Sequence, residues 1–218
     1  MNIEKMTDSF KNKETIKTRL VAEDDLLILH TDVAQVLFNG QWKAGRLGLV
    51  QFAGIVLKIW EAHYADDPYA DKCLLKISDE IKSIKEKFEN YERLLMRQID
   101  NLRGFEINIY YHPNAQKYKL RFATPYPYMA SVLVEKVDYL NRLIYTLKRI
   151  GIVPDGNLKV VDLMKDVQGV YKISLEWKYT GITRKDIIEK NQLALQVEKQ
   201  LGVIPPAILD KEVESIFL

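Results

Sequence analysis

"QKYKLRFATPYPY", residues 116–128, changes its periodicity halfway along. Up to Phe122 it alternates, with Lys117, Lys119 and Arg121 at every second position and Tyr118, Leu120 and Phe122 between them. Side chains two apart share one face of a strand, so the spacing predicts a short strand with a cationic side and an apolar side. After Thr124 the period lengthens. In "PYPYMASVLVEKVDYLNRLIYTLKRIG", Val132, Val134, Val137, Leu140, Ile144 and Leu147 trace a helix that Gly151 and Pro154 end. The next stretch, 155–179, reads as a second helix through Leu158, Val161, Met164, Val167, Tyr171 and Leu175, although alternation in "VYKISLEWKY" leaves a strand open.

Charge is distributed in step with this pattern. The chain of 218 residues carries a net charge of only +2. Residues 117–149 hold seven Lys and Arg against two Asp and Glu, whereas the flanking segments 1–116 and 150–218 are each slightly acidic. At 47% apolar and 28% charged residues, the composition is that of a domain with a sizeable core, not of a disordered or histone-like chain. A single cysteine, Cys73, excludes an intrachain disulfide and zinc sites built on cysteine pairs. With a polar N-terminus and no apolar run long enough to span a bilayer, the expectation is a soluble, cytoplasmic protein without membrane contact.

Upstream of the strand lies the most regular helix in the chain. "ADDPYAD" (65–71) places Asp67 as N-cap, Pro68 at the first helical position and Asp71 in the electropositive first turn. That assignment outweighs a metal reading, because the ligand spacing of a calcium loop is missing. Beyond it, Leu74, Ile77, Ile81, Ile84, Phe88, Tyr91 and Leu95 advance by three and four, a heptad seam on a helix of about 30 residues. Residues 46–63 form the nearest helix able to cover it, as the other arm of a long helical hairpin; a subunit interface is the alternative. "DLLILHT" (25–31) predicts a strand ending at Thr31, which caps the helical "DVAQVLF". Residues 105–111 form a further strand candidate, placed to pair with 117–123 as a hairpin across His112-Pro113-Asn114. Thr183 caps a helix expected to run to Gly202, and Pro205-Pro206 ends the structured part.

These readings divide the chain into a flexible N-terminal arm (1–22), a single domain (23–205) and a tail (206–218). Within the domain, 23–102 is a helical part with the long heptad helix, 103–180 carries the strand and two helices, and 181–205 is a C-terminal helix. The expected fold class is α+β, mostly helical, with a short antiparallel β-ribbon or hairpin and a long helical hairpin.

Catalytic signatures are missing. His30, His63 and His112 are scattered, and no nucleophile elbow, zinc-binding HExxH or phosphate-cradling glycine loop occurs. Cys73 sits in a helix first turn, where the dipole lowers a thiol pKa, but a spectator thiol is the plainer reading. No enzyme activity, metal or cofactor is expected, and no small-molecule ligand. What remains is basic strand, helix, Gly/Pro turn, helix, which is the order of a ribbon-helix-helix element. In that arrangement one strand from each of two subunits pairs into an antiparallel ribbon, whose outward side chains enter the DNA major groove. Here they are Lys117, Lys119 and Arg121, and the N–H groups at Asn157 and Leu158, opening the second helix, are placed to hold a phosphate. A lysine-rich face that merely protects a sheet edge is the competing reading. The strand–helix–turn–helix order of residues 25–60 is another, but its strand has no basic residue.

Four stretches, "LILHTDVAQVLFNG", "GLVQFAGIVLKIW…DDPYAD", "LRFATPYPYMASVLVEKVDYL" and "GITRKDIIEKNQLALQVEKQLG", together resemble the AcaB-like transcriptional regulator family, associated with conjugative plasmids and integrating conjugative elements. They lie in register over roughly residues 25–205. The resemblance implies a sequence-specific DNA-binding regulator, an activator, of conjugative transfer genes that acts on double-stranded DNA as a homodimer. The alternative is an accessory scaffold of the conjugation machinery acting through its heptad face.

Overall fold

The computed structural model describes residues 25–102, 104–152 and 160–211. In chain order these form β1 (Asp25–Leu29), α1 (Asp32–Asn39), a 3-10 turn (Trp42–Ala44), α2 (Leu49–Tyr64), α3 (Pro68–Asp100), β2 (Gln116–Leu120), α4 (Pro125–Arg149), α5 (Val160–Glu176), α6 (Arg184–Ile188), α7 (Gln192–Leu201) and α8 (Pro206–Leu209). The arm at 1–22 and the phosphate-site candidate Asn157 lie outside the described residues. The fold is α+β, mostly helical, with one two-stranded antiparallel sheet.

Helix α3 is the spine. Asp67 caps it by accepting from the backbone N–H groups of Tyr69 (2.8 Å) and Ala70 (3.4 Å), and Pro68 occupies the first turn, where its missing N–H costs nothing. The helix runs 33 residues, about 50 Å at 1.5 Å per residue. Leu74, Ile77, Ile81, Ile84, Phe88 and Leu95 of the seam are all buried. Helix α2 covers only part of it; α4 and α5 pack along the rest, so the seam is filled within one chain rather than by a simple hairpin or a second subunit. A seam this long needs several partners, and the two helices after β2 are the ones with broad apolar faces to offer. Helix α5 also settles 160–176 as helix, burying Leu163, Val167, Val170 and Tyr171.

The connection between α1 and α2 depends on two glycines. Gly40 closes α1 at φ 79°, a left-handed conformation that costs glycine little, and its N–H donates to Val36 O. Gly48 lies so close that a Cβ added there would sit 2.3 Å from Gly40 N. Both positions need glycine, one for its backbone angle and one for the close approach.

Three sequence expectations fail for local reasons. Residues 105–111 are not a strand, and β2 pairs instead with β1, in the register Asp25↔Leu120, Leu27↔Tyr118 and Leu29↔Gln116. Side chains of α4 have taken the backbone of the earlier stretch: Thr146 Oγ1 accepts from Tyr110 N–H (2.7 Å), Arg142 Nε donates to Tyr110 O (2.7 Å), and Arg149 donates to Asn108 O (3.0 Å). The helix expected from Thr183 to Gly202 is also interrupted. Lys190 adopts a left-handed φ of 53°, and Asn191 caps a new helix by accepting from Ala194 N–H at 2.8 Å. The break lets α6, α7 and α8 fold round a second, smaller core of Tyr69, Ile182, Ile187, Ala194, Ile204 and Ile208. Pro206 accordingly opens a short helix instead of ending the structure.

This small core is clamped to the spine by Arg184. Its buried guanidinium pairs with Asp71 and with Asp66 (2.6 Å) and donates to Ile208 O (3.3 Å). Asp71 in turn pairs with His63 Nδ1. Two carboxylates and a carbonyl meet the cation, so the charge is buried with partners on several sides.

Candidate nucleic-acid interface

Three anchors set the orientation of β2. Tyr118 packs its ring 4.0 Å from that of Phe38, and its hydroxyl accepts from Asn39 Nδ2 at 2.9 Å. Leu120 enters the core. Phe122 meets the ring of Tyr128 edge-on at 5.2 Å, while the Tyr128 hydroxyl accepts from Phe122 N–H (3.4 Å) and donates to Leu120 O (3.5 Å). With one side of the strand held in this way, Lys117, Lys119 and Arg121 are left exposed on the other. Residues two apart on a strand are spaced by about 6.8 Å, so Lys117 and Lys119 stand about that far apart on β2, and Arg121 follows directly after its last residue.

The partner strand is fixed from α4. Asp138, almost fully buried, accepts from the N–H of His30 (2.9 Å) and from the N–H and hydroxyl of Thr31 (both 2.8 Å). This carboxylate holds the turn from β1 into α1. In the sequence it counted only as one of two acids diluting a basic segment. Leu27 and Leu29 point into the core, which leaves Leu26 and Ile28 on the outer face at 54% and 43% exposure. The register sets Leu26 opposite Lys119 and Ile28 opposite Lys117. The outer face of the sheet is therefore a mixed surface, cations on one strand and aliphatic side chains on the other. Sequence reasoning found the cations and missed the aliphatics, whose role depends on a strand pairing across some 90 residues.

The face continues into a groove of about 390 Å³ between β2 and α2, lined among others by Phe38, Val50, Leu57, Arg121, Phe122 and Pro127. Among the described residues no cluster of His, Cys, Asp and Glu could hold a metal ion, and no helix is long and apolar enough to cross a membrane. Cys73 is buried, and desolvation pushes its thiol up to about 12, overriding any help from the helix dipole.

A family model described as transcriptional regulator AcaB matches residues 20–218. Among solved structures, the crystal structure of selenomethionine-containing AcaB from uropathogenic E. coli is similar, with a TM-score of 0.50 over 87% of this chain and 95% of that one. At 14% identity that likeness speaks to the fold alone. No curated protein matches. With a family match that spans nearly the whole chain, this protein belongs to the AcaB family of transcriptional regulators.

Proposed function

We propose that this regulator binds double-stranded DNA sequence-specifically through the outer face of the β1–β2 sheet, as a homodimer, and that it activates conjugative transfer genes. The observation that carries the reading is the pair Lys117 and Lys119 on the exposed side of β2, with exposed Arg121 directly after its end, while the strand's opposite side is anchored to the core. A two-stranded ribbon fits the major groove, and the pair's spacing of about 6.8 Å matches two base-pair steps of about 3.4 Å. Arg121 suits the O6 and N7 acceptors of guanine, and the lysines suit base acceptors or phosphates. Leu26 and Ile28, lying across from the lysines, suit the thymine methyl group, the one apolar feature of the groove.

The in-chain pairing of β2 changes what a dimer contributes. The ribbon expected from one strand of each of two subunits is instead closed within one chain, because β1 takes the free edge of β2, so a partner chain supplies a second ribbon for a second half-site. The scaffold alternative lacks support, because the heptad face it relies on is occupied inside the chain.

The test is binding to the DNA flanking the protein's own gene, measured by fluorescence anisotropy with excess competitor DNA. Arg121→Ala is expected to lose about 1–3 kcal/mol for the cognate site and to relax preference at one base pair per half-site. Changing Lys117, Lys119 and Arg121 together to Ala should abolish specific binding while leaving thermal stability within about 1 kcal/mol, as for exposed positions. Unchanged affinity in a folded triple variant would reduce the strand to a solvated sheet edge.

A further inference from the structure

A cavity of about 290 Å³ opens where the spine, α5 and α7 meet. Its walls are apolar and aromatic, from Tyr69, Ile173, Trp177 and Leu201, and three lysines, Lys72, Lys76 and Lys178, line it with a single carboxylate, Glu176. Glu176 is already spent on Lys76, at 2.5 Å. Among the described residues, Lys72 and Lys178 therefore remain beside an aromatic cleft without a paired carboxylate. The indole N–H of Trp177 is buried and has no acceptor among the described residues. Buried donors are nearly always satisfied, so this orphan calls for an acceptor that it reaches when the indole turns; Trp177 borders both this cavity and a second hollow beside Glu61 and Tyr179. The place is also mechanically significant. Trp177 packs against both cores, Tyr69 belongs to the small one, and Ile173 belongs to the large one.

We propose that this cavity binds a small aromatic anion, its ring between Tyr69 and Trp177 and its acidic group towards Lys72 and Lys178, and that occupancy ties the C-terminal helices to the bundle. The volume lies at the lower end of that of small-molecule sites, and the mixture of apolar wall with a few convergent polar groups is what such sites use to orient a ligand. The ring supplies contact to the aromatic wall, and the anion answers the unbalanced charge. An acceptor on the ligand meets the indole N–H after a small rotation of Trp177.

The probe is 1-anilinonaphthalene-8-sulfonate, with its uncharged counterpart N-phenyl-1-naphthylamine as control. Fluorescence titration of the full chain should show one saturable sulfonate site and weaker binding of the neutral compound. The double change Lys72→Gln and Lys178→Gln, on the surface and harmless to folding, should weaken the sulfonate about tenfold, the scale of two partly solvated ion pairs, and leave the neutral compound unaffected. Trp177→Phe, which keeps an aromatic wall but removes the donor, should weaken it as well, whereas Leu57→Ser in the groove beside β2 should not. Location is read independently from amide and indole chemical-shift changes on sulfonate titration, which should centre on Lys72, Ile173 and Trp177, residues of the cavity lining. Sulfonate affinity indifferent to the lysine pair, or shift changes centred elsewhere, would overturn the site.

Discussion

Asp67 does two things with one carboxylate. Oδ1 caps α3, while Oδ2 is buried without a partner, and desolvation raises the group from 3.8 to about 6. A carboxyl that binds its proton more tightly when folded favours the folded state fully below pH ~4 and loses that contribution as pH rises through about 6. Asn retains the cap, since it is as good an N-cap as Asp, and carries no charge to desolvate. Asp67→Asn is therefore expected to stabilise the protein at pH 8 by about 1–2 kcal/mol and to flatten the stability change between pH 4 and 7. Urea denaturation at a series of pH values checks both, and an Asn variant that is weaker at pH 8 would show that Oδ2 carries an interaction worth its burial. The cap itself was legible in "DDPYAD", because a cap is written in adjacent residues. Asp71 was half legible. Its place in a first turn follows from the sequence, but its burial under Arg184 depends on a residue 113 positions away. Nothing local announces such a pairing.

At the scale of elements, periodicity settled faces and left partners undetermined. The seam of α3 was readable to the residue, yet its cover is shared among α2, α4 and α5, which no spacing within α3 could specify. Likewise the alternation in 116–122 assigned the right residues to the wet and dry sides. The pairing with β1 was missed because strand partners are set by whichever edge is free, and α4 had already engaged residues 108–110. The break at Lys190 was missed for the opposite reason. Asn191 is a good cap, but a cap inside an otherwise helical pattern is overruled or honoured by packing, and here Ile187 and Ala194 both had a core to reach. The in-chain seam makes a definite claim. Phe88→Asp places a charge where exposure is zero and should cost about 4 kcal/mol or more, unfolding the chain instead of dissociating an oligomer. Glu86→Lys, on the exposed side of the same turn, should stay within about 0.5 kcal/mol. Circular dichroism through a urea gradient separates the two, and a folded, fully helical Phe88→Asp protein would mean that the seam is not the core.

For the whole molecule the decisive quantity is how many ribbons engage one DNA site. One chain offers three cations at the outer face, so a single ribbon neutralises at most three phosphates and gives a slope of log K against log salt no steeper than about −2.7. Two ribbons in a homodimer double this to about −5.4, which between 50 and 200 mM salt is a loss of about three decades in affinity instead of about one and a half. The homodimer of the proposed function therefore predicts both a dimer by sedimentation at micromolar concentration and the steeper slope. It also predicts that Lys117→Ala, near the strand end, lowers the slope by about two, one phosphate per subunit, for cognate and unrelated DNA alike. A monomer binding its site specifically with the shallower slope would keep the ribbon as the reader but remove the second half-site. A steep slope that the three substitutions leave unchanged would place the phosphate contacts elsewhere on the molecule, and with them the claim that β2 faces the DNA would fall.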